Sequence, residues 1–124
     1  MIFVFGSNEN GIHGAGAAKF AHLNHGAVYG VGYGHQGDSF AIPTKDWEIV
    51  SLKLETIKHY VDGFMRYARM RDDLDFQITR IGCGLAGFKD SDIAPMFENA
   101  PANCVFDSEW LQYLKTPRRT WGSM

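Results

Sequence analysis

Three glycine-rich stretches concentrate the chemistry that this sequence can offer. Gly11 to Gly16, Gly30 to Gly37 and Gly82 to Gly87 hold most of the chain's 14 glycines. Backbone without a Cβ can approach a ligand closely. The unpaired N–H groups at a following helix start carry partial positive charge and favour phosphate. Loops 6–16 and 82–90 each lie between a strand-like run and a helix-like run, so the pair could hold a diphosphate. The other reading of each is a tight turn in a small α/β domain. Cys83 lies in the third stretch without a local Cys–His signature and reads as a small buried thiol. His13 and His35 lie inside glycine loops. His22 and His25 are three apart, with no third or fourth ligand at metal spacing, so no metal site and no cofactor is expected.

Known phosphate motifs fit poorly. Gly32, Gly34 and Gly37 match G-x-G-x-x-G but precede a strand-like run and Pro43 rather than a helix. Gly82, Gly84 and Gly87 follow a strand and precede a helix, and Asp107 lies about 20 residues on, as a dinucleotide fingerprint asks. Only 17 residues follow Asp107, too few to complete the sheet of such a domain. No Gly-Lys-Ser/Thr triplet completes a P-loop.

The elements that must position these loops alternate. Ile2 to Phe5 is a continuous apolar run and reads as a strand buried on both faces. Gly14 to Ala21 reads as a helix that starts in very small residues and stops by Gly26. Ala27 to Tyr29 reads as a short strand, Gly30 to Gly37 as a loop, and Ser39 to Ile42 as a strand stopped by Pro43. From Ser51 to Arg71 the period turns to 3.6, with Leu54, Ile57, Val61, Phe64 and Ala68 on one helix face. Phe76 to Ile81 and Ala102 to Phe106 read as strands. Asp90 or Ser91 can cap a short helix through Phe97, and Asp107 to Leu114 reads as a final helix. A single α/β domain over 1–114 is expected, followed by a basic tail over 115–124 that reads as frayed. The alternative for that tail is contact with a phosphate backbone and stacking of Trp121 on a base.

Composition bounds the function. The 124 residues are 45% hydrophobic and 21% charged, which excludes disorder as the main state. A formal net charge of −2 excludes a strongly basic nucleic-acid clamp. Two cysteines make no disulfide framework, and with no signal-like or membrane-spanning run the expectation is a reduced, cytoplasmic protein.

Three blocks, in order, resemble the macro domain, the fold that binds ADP-ribose. Asn8-Glu9-Asn10-Gly11-Ile12-His13-Gly14-Ala15-Gly16 is similar to the family's N-x-x-G-x-M-G-x-G, with His13 for the usual Met. Ile42-Pro43-Thr44-Lys45 with Trp47 is similar to F-P-T-K with a nearby Trp. Arg80 to Phe88 is similar to I-G-C-G-L-x-G-L. The match is nearest to the ADP-ribosyl glycohydrolase branch, which includes antitoxins that strip ADP-ribose from DNA and terminal ADP-ribose protein glycohydrolases. The resemblance implies a three-layer α/β/α domain with a mixed central sheet, N-terminally shortened. Only one strand precedes Asn8, so no residue is assigned to reading the adenine.

The same resemblance implies the site. Lys45 would be the catalytic group, as nucleophile or electrostatic catalyst, and a lysine amine attacks an anomeric carbon only when neutral. Asn8 would orient the distal ribose. Gly11, His13, Gly14 and Gly16 would wrap that ribose and the diphosphate. Gly82, Cys83, Gly84, Leu85, Ala86, Gly87 and Phe88 would close over the diphosphate from the other side, with Phe88 lining the ribose pocket. Protein-directed members carry an Asp where this chain has Ala86, and the antitoxins carry Gly. The DNA-directed subgroup is therefore nearer, and the general acid–base role is left unassigned, Asp46, Asp90 and Asp92 being neighbours in sequence only. The implied activity removes ADP-ribose from a nucleobase, with single-stranded DNA as the candidate partner, or from an acidic side chain. The alternative is a binding module for ADP-ribose or another NAD-derived nucleotide, without turnover.

Overall fold

The opening apolar run forms β1 (Ile2–Asn8), the strand around which the rest is built. Strand alternation sends Ile2 and Val4 into one core and Phe3 and Phe5 into another on the opposite face. Burial on both faces is why the run lacks polar alternation. A computed structural model describes residues 1–124. Its six strands are β1, β2 (Gly34–Gln36), β3 (Ser39–Lys45), β4 (Phe76–Ile78), β5 (Cys104–Asp107) and β6 (Thr120–Gly122). Their order in the sheet is β2-β3-β1-β4-β5-β6. β2 is antiparallel to β3, and every other neighbouring pair is parallel.

Helices cover the two faces and complete a three-layer α/β/α fold. Helix α1 (Gly16–Asn24) packs Ala18 and Ala21 against Phe3, Phe5 and Ala41. Helix α2 (Leu54–Met70) turns Ile57, Val61, Phe64, Met65 and Ala68 onto Val4, Phe40, Ile42 and Ile78. Helix α3 (Asp90–Ile93) and a 3-10 helix at Ala94–Phe97 extend that second layer, with Ile93 and Phe97 buried. No helix is long and apolar enough to cross a membrane.

Several elements differ from the sequence expectations. Residues 27–29 form no strand. The strand lies instead at Gly34–Gln36, inside the second glycine stretch, where Gly37 and Asp38 make a two-residue hairpin turn into β3. Gly37 takes φ 58° there, as such turns require. β3 runs through Pro43 to Lys45. Proline is tolerated because β2 pairs no further than Ala41 and the antiparallel bridge to Ser51 begins only at Lys45, so Pro43 falls in a gap between partners on that edge of β3. Asp107 begins a 3-10 turn (Ser108–Tyr113) rather than an α-helix.

The basic segment 115–124 is not frayed, and it belongs to the domain. It adds β6 beside β5. The Glu98 carboxylate accepts from the Lys115 and Thr116 amides at 2.7 and 3.1 Å. Arg118 donates to the carbonyls of Ala100 and Glu98 at 2.6 Å each and lies over the Phe106 ring. Trp121 Nε1 donates to the Ile78 carbonyl at 2.9 Å. Its arginines thus serve the fold.

Candidate functional site

The carboxyl ends of β1, β3 and β4 meet where the chain leaves the sheet in opposite directions, the place where open α/β sheets bind ligands. A cavity of about 580 Å³ opens there, within the range of small-molecule sites. Small residues keep it empty. α1 enters through Gly14, Ala15, Gly16, Ala17 and Ala18, all on the wall, with Phe20 as the first long side chain of the helix to reach it. The floor is close-packed: a Cβ on Gly6 would stand 3.3 Å from the Gly82 amide.

The floor is polar and fixed. Ser7, Asn8, Thr44 and Thr79 all reach the cavity and are buried. The Thr44 hydroxyl donates to the Ser7 carbonyl at 3.3 Å, and the Thr79 hydroxyl to the Val4 carbonyl at 2.6 Å. Ser7 donates to the Gly32 carbonyl. Asn8 is committed to its own loop: its amide nitrogen donates to the Ile12 carbonyl at 2.8 Å and its amide oxygen accepts from the Ile12 amide at 2.9 Å. One amide hydrogen remains for a ligand, so Asn8 shapes the 8–12 loop before it orients a sugar.

Two glycine loops flank the cavity. α1 starts without a side-chain cap and without an acidic residue in its first turn, leaving first-turn N–H groups turned to the cavity. Opposite, Gly82 to Ala86 line the wall. The loops touch: a Cβ on Gly16 would lie 3.2 Å from Leu85 Cδ1. The Ser51 hydroxyl donates to the Ala86 carbonyl at 2.9 Å and ties the second loop to the segment beyond β3.

Charge on the wall has one sign among the side chains. Lys45 and Arg80 reach the cavity, and no Asp or Glu side chain does. Lys45 is half-buried, pairs across the sheet with Asn8, and joins no ion pair. Arg80 is held from behind. Its Nε and Nη2 donate to the two Asp90 oxygens at 2.8 and 2.7 Å, and buried Trp110 Nε1 donates to the same carboxylate at 2.7 Å. The Arg80 guanidinium, and then the Trp110 bond, hold the Asp90 carboxyl down at about 2 against the cost of partial burial. Burial, reinforced by Asp90 alongside, pushes the Cys83 thiol up to about 12. Cys83 therefore lines the wall as a neutral thiol, unfit as a nucleophile.

Of the residues singled out from sequence, Lys45, Asn8, Gly14, Gly16, Gly82, Cys83, Gly84, Leu85 and Ala86 come together around the cavity. Gly11, His13, Gly87 and Phe88 do not line it. Gly11 lets two loops cross: a Cβ would fall 2.4 Å from the Val31 amide. His13 is buried edge-on against Phe5, with Nε2 2.9 Å from the Val28 carbonyl. Burial holds its pKa below the usual histidine value. Phe88 packs onto the α2-side core. The carboxylates near these motifs in sequence are bonded elsewhere. Asp46 accepts from the Glu48 and Val50 amides, Asp90 from Arg80 and Trp110, and Asp92 from the Lys89 amide. His35 bonds Tyr67 and the Gly37 carbonyl, His22 bonds the Ala27 carbonyl, and His25 stacks on Phe3.

Arg80, Thr44, Thr79, Ile12 and Ile49 are wall residues absent from the sequence-derived set. The signal that finds three of them is position: each of Thr44, Thr79 and Arg80 lies at or just past the carboxyl end of a parallel strand. Compared with known proteins, the chain matches no family model, no curated protein and no solved structure.

Proposed function

We propose that the protein is a macro-like domain that binds ADP-ribose and removes it, as an ADP-ribosyl glycohydrolase, from a nucleobase or an acidic side chain. The observation that carries this reading is Lys45, a lysine with no ion-pair partner in a cavity free of Asp and Glu side chains, set between two glycine-lined loops. The start of α1 and the 82–86 loop offer backbone N–H groups to a diphosphate from two sides. Lys45, at the end of β3, would face the sugar next to it. As a nucleophile, its neutral amine would bond to the anomeric carbon while the glycosidic pair leaves with the base or carboxylate. Water would then release ADP-ribose and regenerate the amine. As an electrostatic catalyst, the ammonium would stabilise the departing group instead.

One observation favours a second reading, a binding module without turnover. No Asp or Glu side chain reaches the cavity, so neither stands ready to move the leaving-group proton. Calorimetry with ADP-ribose, and incubation with ADP-ribosylated single-stranded DNA and with an ester-linked ADP-ribosyl protein, separate the cases. Lys45→Ala should abolish release while holding ADP-ribose affinity within roughly tenfold, about 1.4 kcal/mol. Binding without release from either substrate would leave the binding module. No heat at millimolar ADP-ribose would refute both readings.

A further inference from the structure

Ile49 is the one non-glycine residue with left-handed backbone, at φ 64°. A β-branched side chain is the least suited to that region. The turn that holds it there begins directly after Lys45. The Asp46 carboxylate accepts from the Glu48 amide at 2.8 Å and the Val50 amide at 3.0 Å. The Asp46 amide donates to the Val50 carbonyl at 2.8 Å, and the Ile49 amide to the Asp46 carbonyl at 3.1 Å. The result aims Ile49 at the cavity wall, yet leaves it 41% exposed. Ile12 is its counterpart, also on the wall, 44% exposed and clamped by Asn8. The Asn10 side chain donates to the Trp47 carbonyl at 3.3 Å and joins the two turns.

Folding alone gains little from an exposed isoleucine in a strained conformation, and strain of this kind gathers at binding and catalytic sites. Lys45 is half-buried and Ile49 lies further out, so a ligand reaching Lys45 from the glycine loops would extend past it toward Ile49. We propose that Ile49 is a specificity-determining residue, held in its strained turn as an apolar wall for the group attached to the ligand's distal sugar. The proposal rests on Lys45 acting at that sugar.

Ile49→Ala removes the wall and keeps the backbone strain, whereas Ile49→Gly removes both. The glycine variant is expected to melt about 2–4 °C above the alanine variant, the reverse of the usual order. Both should bind free ADP-ribose within about twofold of wild type. Both should raise KM for release from ADP-ribosylated single-stranded DNA roughly fivefold to tenfold with kcat little changed, as the loss of one partly buried apolar contact implies. Ile49→Val should restore most of the KM. Unchanged KM in both variants, an equal loss of free ADP-ribose affinity, or a glycine variant no more stable than the alanine one would each overturn the assignment. Failure of the wild type to bind or release ADP-ribose would instead defeat the reading of Lys45, and this proposal with it, before any variant is compared.

Discussion

Removing the carboxylate of Asp90 separates two contributions that meet on one side chain. Asp90 joins the cavity wall to the core: it holds Arg80 in a two-bond ion pair and accepts from the indole of fully buried Trp110. In Asp90→Asn the acceptor for Trp110 survives and the charge is lost. Displacement of the Asp90 carboxyl from 3.8 to about 2 corresponds to roughly 2–3 kcal/mol as a ceiling. Arg80 is 36% exposed and Asp90 20% exposed, so solvent screening brings the expected loss to about 1–2 kcal/mol. Asp90→Ala also strands a buried indole N–H, which adds about 1–3 kcal/mol. For a chain of this size the asparagine variant should melt about 4–8 °C below wild type, and the alanine variant about 8–20 °C below.

Acid gives the sharper assay. Asp90's carboxyl is depressed in the folded state, so its contribution is complete above about pH 4 and disappears as pH falls toward about 2. Urea unfolding of wild type and Asp90→Asn across that range should show two curves that converge in acid. A gap of equal size at pH 7 and pH 2 would mean that the charge is not its source. An asparagine variant as stable as wild type at pH 7 would refute the ion pair as a stabilising contact.

Three further outcomes follow from the same contacts. Gly84→Val should leave the melting temperature within about 2 °C, because a Cβ there meets no atom within 4 Å and the backbone is not left-handed. It should weaken ADP-ribose binding by at least about tenfold, read by calorimetry, since the added branches occupy ligand space. Gly11→Ala should cost about 2–4 kcal/mol in urea unfolding, because its Cβ would strike backbone at 2.4 Å from a φ of 74°. Stability should also fall as pH drops below 6.5, since burial lowers the His13 pKa in the folded chain and the unfolded chain takes up the proton first. His13→Gln should flatten that slope in pH-dependent melts.

The legible parts of the sequence were those in which one period or one apolar run dominates. Ile2–Phe5 forms a strand because its residues serve two cores at once, though β1 runs on through the polar Gly6-Ser7-Asn8 that read as loop, and α2 follows its 3.6 pattern from Leu54 to Met70. The glycine loops were legible as loops at strand ends. Their division of labour was not, because a glycine has the same letter whether it makes room for a ligand or for another loop. Gly84 and Gly11 belong to similar motifs, yet one faces open space and the other a neighbouring backbone 2.4 Å away. His13 misled for a related reason: within a polar, glycine-rich stretch it turns inward to meet Phe5 and the Val28 carbonyl. The 115–124 segment read as frayed because its arginines have no local partners. Its partners lie far back in the chain, at Glu98, Ala100 and Ile78.

Arg80 shows what sequence position alone leaves open. It stands at the start of the third block and on the cavity wall, where a free guanidinium would be the natural partner of a diphosphate. Two of its nitrogens are already bonded to Asp90, a residue ten positions on that is held in turn by Trp110. Lys45 has no such partner. The two cations of the cavity are therefore chemically unlike: Arg80 is a braced part of the wall, with limited capacity for a phosphate, and Lys45 keeps its amine free. If the proposed function holds, anion recognition would fall mainly on backbone N–H groups at the start of α1 and in the 82–86 loop, which bear no competing side-chain partner. On that proposal the division would leave the Lys45 amine for the sugar, and it is why Lys45→Ala should separate turnover from binding.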